Sequence, residues 1–315
     1  MEVLDQRKTR QGTYLDLLEN YIREQHPRSY QGIVEARQAD PVRYADIAET
    51  FLRWAVKARG VDAIGAMADS FVRFTTSVNL SQARYELDGH YENKSFEECN
   101  QSLYSQQEDM DDYLWGVYLT NFLWAHHTEI CLFYQDRFLK NLATAQTLIE
   151  IAPGHGGWGA LALKHLPKAS LIGYDISPSS IRIATEVSTA AGFNGRARYE
   201  IRNALDLDGM PAQVACAVIC NFLIEHLEDP NKLYAVIHHL LKPGGTAFLA
   251  GALTAAQIDH IYEFRRESEL VKMAEDNGFR VLETLSVGPK RLLPRAKFMP
   301  RSMVLVLQKR RNDVF

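Results

Sequence analysis

Residues Thr147 to Leu163 constrain this chain more than any other stretch. Leu148, Ile149 and Ile151 belong to a short apolar run, which reads as a strand buried on both faces. Four glycines follow within six residues: Gly154, Gly156, Gly157 and Gly159. Ala160, Leu161, Ala162 and Leu163 then favour helix. A strand, a glycine-rich turn and a helix predict the opening half of a βαβ unit, and so an α/β fold. Gly154 and Gly156 lack a Cβ, so the backbone can turn sharply and a ligand can lie against it. The helix that follows presents unpaired N–H groups to that ligand.

Two ligand classes compete for such a turn. Gly154, Gly156 and Gly159 spell G-x-G-x-x-G, the dinucleotide fingerprint. Glu150 argues the other way, because a carboxylate at the end of the first strand repels a pyrophosphate and attracts an ammonium group. The pattern acid-x-small-x-Gly-x-Gly (Glu150, Ala152, Gly154, Gly156) resembles the first motif of the class I S-adenosylmethionine-dependent methyltransferases. That family usually has glycine where this chain has Ala152. The resemblance implies that Glu150, Ala152, Gly154 and Gly156 hold the amino-acid end of S-adenosyl-L-methionine.

Further strands follow in order. Ser170 to Ile176 reads as a second buried strand ending in an acid. Asp175 lies 21 residues beyond Gly154, where an acid accepts from a ribose in both ligand classes. Its bland reading is a helix-capping acid. Gly-Tyr-Asp-Ile-Ser-Pro resembles the second motif of the same family, which implies that Ile176 packs on the adenine. A third strand, 197–202, ends at Asn203-Ala204, where many relatives have Asp-Ala. There the resemblance implies contacts to the adenine, with Asn203 accepting through its carbonyl oxygen. A fourth, 214–220, ends at Asn221-Phe222-Leu223-Ile224-Glu225-His226, at the carboxyl edge where open α/β sheets bind ligands. Asn221 is expected to touch cofactor, and Glu225 and His226 to face substrate. The bland alternative for that pair is capping of the next helix.

Lys242-Pro243-Gly244-Gly245 predicts a turn into a fifth strand, 246–253. Strands at 280–287 and 302–308, joined without a helix, pair antiparallel. The expected fold is a Rossmann-like, mostly parallel seven-stranded sheet ending in an antiparallel hairpin, with an all-helical N-terminal cap. The loop 288–301 carries Lys290, Arg291, Arg295, Lys297 and Arg301. It is a solvated surface loop by default, or a cover over the pocket that meets an anionic group of the substrate.

The expected division is a helical cap and substrate region, 1–141, and an adenosylmethionine-binding domain, 142–315. Asp40-Pro41 starts a helix that Gly60 stops, and a second begins after Asp62. The stretch 88–100 reads as loop, and 109–140 as one long helix or two, rich in aromatics. His126 and His127 are adjacent, so at most one is expected to enter a pocket, with His127 preferred. Adjacent positions on a helix suit metal ligation badly, and the four cysteines show no paired spacing, so no metal is expected.

The chain has 315 residues, 46% hydrophobic, with a formal net charge of −4, which provides no basic field for nucleic acid. No apolar run reaches the length of a membrane span, and the N-terminus has no apolar signal core, so a cytoplasmic protein is expected. The reading is methyl transfer to a small, partly apolar metabolite at an undetermined O, N or C atom. His226, His127 and Glu225 are the candidate catalytic residues, and a homodimer is plausible. The alternatives are an NAD(P)-dependent oxidoreductase, a non-catalytic adenosylmethionine-binding protein, or another reaction, such as a cyclisation, on the same cofactor domain.

Overall fold

The structure is a computed structural model, and it describes residues 12–38, 40–100, 107–142, 144, 146–206, 209–290 and 295–310.

The N-terminal part is helical: α1 (Tyr14–Gln25), α2 (Pro27–Gln38), α3 (Pro41–Arg59), α4 (Ala63–Asp88), the single turn α5 (Phe96–Cys99), α6 (Gln107–Leu123) and α7 (Ala125–Phe133). Local chemistry sets the ends. Thr13 and Asp16 form a reciprocal capping box at α1, and the Asp40 carboxylate caps α3 ahead of Pro41. Gly60 closes α3 with φ +87°, a conformation that costs a side chain energy. The stretch expected as loop at 88–100 contains α5, capped by Ser95 and Glu98.

The aromatic stretch predicted as one helix or two is two. Trp124 is extended (φ −98°, ψ 124°) and separates α6 from α7. The Thr128 hydroxyl lies 3.2 Å from the Phe122 carbonyl and 3.1 Å from the Trp124 carbonyl, and so satisfies groups orphaned by the break. A π turn (Tyr134–Phe138) and a 3₁₀ turn (Leu139–Leu142) lead into the sheet.

The sheet then alternates with helices: β1 (Thr147–Ile151), α8 (Gly157–His165), β2 (Ser170–Asp175), α9 (Pro178–Ala190), β3 (Ala197–Ile201), β4 (Ala215–Asn221), α10 (Pro230–Leu240), β5 (Leu241–Leu253), α11 (Glu267–Asp276), β6 (Phe279–Val287) and β7 (Arg301–Lys309). Its order is β3-β2-β1-β4-β5-β7-β6. β7 runs antiparallel between β5 and β6, which bears out the expected mixed sheet. β5 starts at Leu241 rather than at residue 246, and the β4–β5 register breaks between Ala215 and Ala217. Gly244, at φ +78°, makes the local reversal.

Side chains alternate across the strands. Leu148, Ile219, Phe248 and Val304 face the helices and join Leu18, Phe51, Tyr118 and Phe122 in one hydrophobic cluster. Ile149, Val218, Leu249 and Leu305 face the other way and pack on Leu233 and Ile237 of α10 and Leu270 of α11. The N-terminal helices and one face of the sheet thus share a core.

Candidate active site

A cavity of about 1570 Å³ opens over the carboxyl ends of the strands. Its floor holds Glu150, Ala152, Gly154, Asp175, Ile176, Asn203, Ala204 and Asn221, and its far wall holds His126, His127, His226, Asp259 and His260. Residues spread from 126 to 260 therefore meet at one site, the topological switch beside β1.

The glycine turn is shaped around two carboxylates. Glu150 is 2% exposed; its Oε1 accepts from the Gly159 amide at 3.1 Å, and its Oε2 has no protein partner. Burial raises its carboxyl to about 8. Gly159, read as part of a dinucleotide fingerprint, has a different use here: a Cβ on it would collide with Glu150 Oε2. Asp175 accepts from the Gly154 amide at 3.1 Å and the Ser177 amide at 2.9 Å, tying the turn to the end of β2. Burial pushes its carboxyl upward, and those two amides oppose this. Ala152 and Gly154 are left-handed, at φ +50° and +52°, a conformation that glycine would adopt at position 152 with less strain than the alanine present. Gly156, at φ +70°, does not line the cavity; a Cβ there would come within 2.7 Å of Ala184, so it lets the turn pack on α9.

Ile176 is 42% exposed on the cavity rim. The Asn203 carbonyl oxygen accepts from the Leu205 amide at 3.0 Å, with one lone pair left for a ligand. Ala204 is buried beside it. Both polar atoms of the Asn221 amide are buried and lack a protein partner.

The histidines depart from expectation. Both His126 and His127 line the cavity, although adjacent helical residues point about 100° apart; they lie in the first turn of the helix that starts after Trp124. His127 stacks on Phe222 at 4.9 Å, and its Nδ1 lies 3.0 Å from the Thr120 hydroxyl. Phe222 is itself left-handed, at φ +54°. Burial holds His126 down at about 4 and also lowers His127 well below its usual value, so both imidazoles are neutral.

Residues 254–263, after β5, supply groups that no sequence pattern indicated. Gln82 of α4 receives the Ala256 amide at 2.8 Å, Tyr85 bonds Glu263, and Tyr113 of α6 donates to Asp259 at 3.0 Å. This segment in turn grips Glu225, whose carbonyl accepts from the Ile261 and Tyr262 amides at 2.8 and 2.9 Å. His226 Nδ1 lies 2.9 Å from the Asp259 carbonyl and 3.4 Å from its carboxylate. Glu225, expected to face substrate, is fully buried behind this wall and does not line the cavity; burial raises its carboxyl to about 7.

Lys290, Phe298 and Arg301 of the basic loop line the cavity. Arg301 is paired with Glu267 at 2.7 Å, and the Lys297 and Phe298 amides donate to Glu86 at 2.6 and 3.0 Å. Arg291 lies outside the described residues.

No helix among the described residues is long and apolar enough to cross a membrane.

Residues 149–247 match the methyltransferase domain family. A ribosomal protein L11 methyltransferase of Vibrio cholerae is 32% identical over 150 residues, 47% of this chain and 46% of the relative. A ubiquinone biosynthesis O-methyltransferase of Xanthomonas axonopodis pv. citri is 30% identical over 82 residues, 26% of this chain and 34% of the relative. The chain thus spans under half the length of either relative. Among solved structures, an O-methyltransferase family protein of Burkholderia thailandensis superposes with a TM-score of 0.57 at 17% identity, over 78% of this chain and 73% of that one. Residues 149–247 are a methyltransferase domain, and the sheet built around it has the class I methyltransferase fold.

Proposed function

We propose that this chain transfers a methyl group from S-adenosyl-L-methionine to a small, partly apolar acceptor. The observation that carries the reading is the single cavity of about 1570 Å³ joining the glycine turn to the histidine wall. Sites for one small molecule usually span roughly 300–1000 Å³, so this one has room for a cofactor and an acceptor together.

The residues fit the cofactor. Glu150 Oε2 and the Asn221 amide are buried polar atoms without protein partners, set along the same floor. Such orphans call for a ligand's polar groups. Glu150 would meet the ammonium of the methionine moiety, Asp175 the ribose, and Ile176, Asn203 and Ala204 the adenine. Gly156 acts by letting the turn pack. When bound, the cofactor supplies a methyl group on a sulfonium, open to in-line displacement by an electron-rich atom.

The chain's own contribution is alignment and exclusion of water. Phe222, His127 and Trp124 form an apolar wall against which an acceptor lies flat. His226, fixed through Nδ1, stands in the wall that faces the acceptor, and Glu225 holds that wall from behind. Lys290 at the rim suits an acceptor with an anionic tail, whereas Arg301 there is already paired with Glu267.

Calorimetry with S-adenosylhomocysteine and with NAD, on wild type and Asp175→Ala, tests the cofactor. Tight binding of the first alone, lost in the variant, supports the reading; preferential NAD binding overturns it. Mass spectrometry of extracts given labelled cofactor then tests the acceptor. Label confined to proteins, as the name of the Vibrio relative would suggest, overturns the small-molecule part.

A further inference from the structure

Glu225 has both carboxylate oxygens buried without a hydrogen-bond partner, although the residue is fully enclosed. The amides of Ala252 and of Glu225 itself approach and lower the carboxyl in part, but a buried carboxylate with no cation and no full hydrogen bond is costly and calls for an explanation. Among the described residues, no lysine or arginine pairs with it; its nearest ion-pairing neighbour is His260, whose Nε2 lies 4.0 Å from Oε1. That separation is too long for a hydrogen bond.

The two histidines beside it are prepared in the same way. His260 Nδ1 lies 2.6 Å from the Ala255 carbonyl, and His226 Nδ1 lies 2.9 Å from the Asp259 carbonyl. A carbonyl only accepts, so with Nδ1 turned to one, His260 carries its lone pair on Nε2, and the same tautomer suits the contact of His226 with Asp259. Metal-ligating histidines are typically fixed in this tautomer by a backbone carbonyl behind them. One ligand atom from each of Glu225, His226 and His260 lies within 4.8 Å of the other two.

We propose that Glu225, His226 and His260 bind a divalent transition-metal ion in the wall of the cavity. Two imidazoles and one carboxylate form the donor set used for zinc and for non-haem ferrous iron, and nitrogen donors disfavour magnesium and calcium. Bonds of roughly 2.1 Å would draw His260 Nε2 and Glu225 Oε1 from 4.0 Å to about 3.4 Å, a small adjustment. Three protein ligands leave a position open toward the cavity, which His226 and His260 line. An oxygen or nitrogen of the acceptor would complete the set; that role rests on the methyl-transfer reading, whereas the site itself does not. Residues 225 and 226 lie far in sequence from 260, so no spacing motif reveals the trio.

The test uses the full chain, stripped with a chelator and titrated with zinc chloride by calorimetry. One equivalent is expected to bind with a Kd below about 1 μM, and Glu225→Gln and His260→Gln are each expected to weaken it at least ~100-fold. His126→Ala is expected to leave it unchanged. Cobalt(II) provides a second readout: wild type should show the visible bands of low-symmetry coordination, and Glu225→Gln should lose them. Glu225→Gln keeps the side chain's shape, so it decides the matter if His260→Gln does not fold. Absence of zinc binding by wild type, or equal affinity in Glu225→Gln, overturns the site. Both readouts are independent of turnover, so their failure is distinct from failure of the methyl-transfer reading.

Discussion

The amide of Gly159 donates to Glu150 Oε1 at 3.1 Å, and the absence of a side chain on Gly159 leaves the space that the other carboxylate oxygen occupies. A helix start and a strand end are thereby fitted to each other through one buried acid. Gly159→Ala should lower stability by more than about 2 kcal/mol and abolish binding of S-adenosylhomocysteine. Adding Glu150→Ala should recover part of the stability, because the clash then has no second party. Thermal melts of the four proteins in this cycle check the coupling, and strict additivity would refute it.

Glu150 also gives the unliganded protein a pH signature. Its carboxyl is raised by burial from 4.5 to about 8, so the folded chain keeps a proton that the unfolded chain has already released. Stability from this group is full below 4.5 and declines as pH rises through about 8. Glu150→Gln does not ionise and escapes the decline. Its melting temperature should differ little from wild type at acid pH and exceed it by several degrees above pH 8. A difference that stays flat across that range would contradict the assignment.

Ala152 occupies a left-handed conformation that glycine adopts without strain. Ala152→Gly should therefore be neutral or stabilising by up to about 1 kcal/mol, despite the greater freedom glycine confers on the unfolded chain. Ala152→Val should cost more than about 2 kcal/mol. Urea denaturation of the pair measures both, and a destabilised glycine variant would show that the turn relaxes on its own.

The segment 295–301 is fastened to α4 through Glu86, which accepts from the Lys297 and Phe298 amides. Glu86→Ala should release it. Tryptic cleavage after Arg295 and Lys297 should accelerate several-fold, while affinity for S-adenosylhomocysteine stays the same. Unchanged cleavage would mean that the stacking of Phe298 on Tyr85, at 4.2 Å, holds the segment unaided.

The sheet was legible because β1, β2 and β4 are short apolar runs and each of the first four strands leads into a chemically distinctive residue. Glu150, Asp175, Asn203 and Asn221 stand at those ends, and all four line the cavity. The antiparallel hairpin followed from two strands with no helix between them. The far wall was legible only in part: His127 and His226 were expected at a pocket and line it, whereas His126, Asp259 and His260 were not. His126 and His127 follow the break at Trp124, an aromatic residue that carries no turn signal and ends a helix here through its backbone conformation. Asp259 and His260 lie in a segment without periodicity, held in place by Gln82 and Tyr113 more than a hundred residues upstream. Glu225 was read as facing substrate, because sequence gives the strand end but not which way the turn after it points. Gly156 was read as room for a ligand and Gly159 as the last glycine of a dinucleotide fingerprint; the first makes room for a helix and the second for a carboxylate.

The shared core has a consequence for engineering. Phe248 of the sheet is in ring contact with Tyr134 at 4.7 Å and Phe138 at 5.4 Å, both upstream of the first strand. Each such enclosed side chain contributes roughly 1.5–3 kcal/mol. A chimaera spliced near residue 142 would inherit a bare greasy surface on both fragments, so altering what the cavity admits calls for editing its wall in place, not grafting a foreign lid.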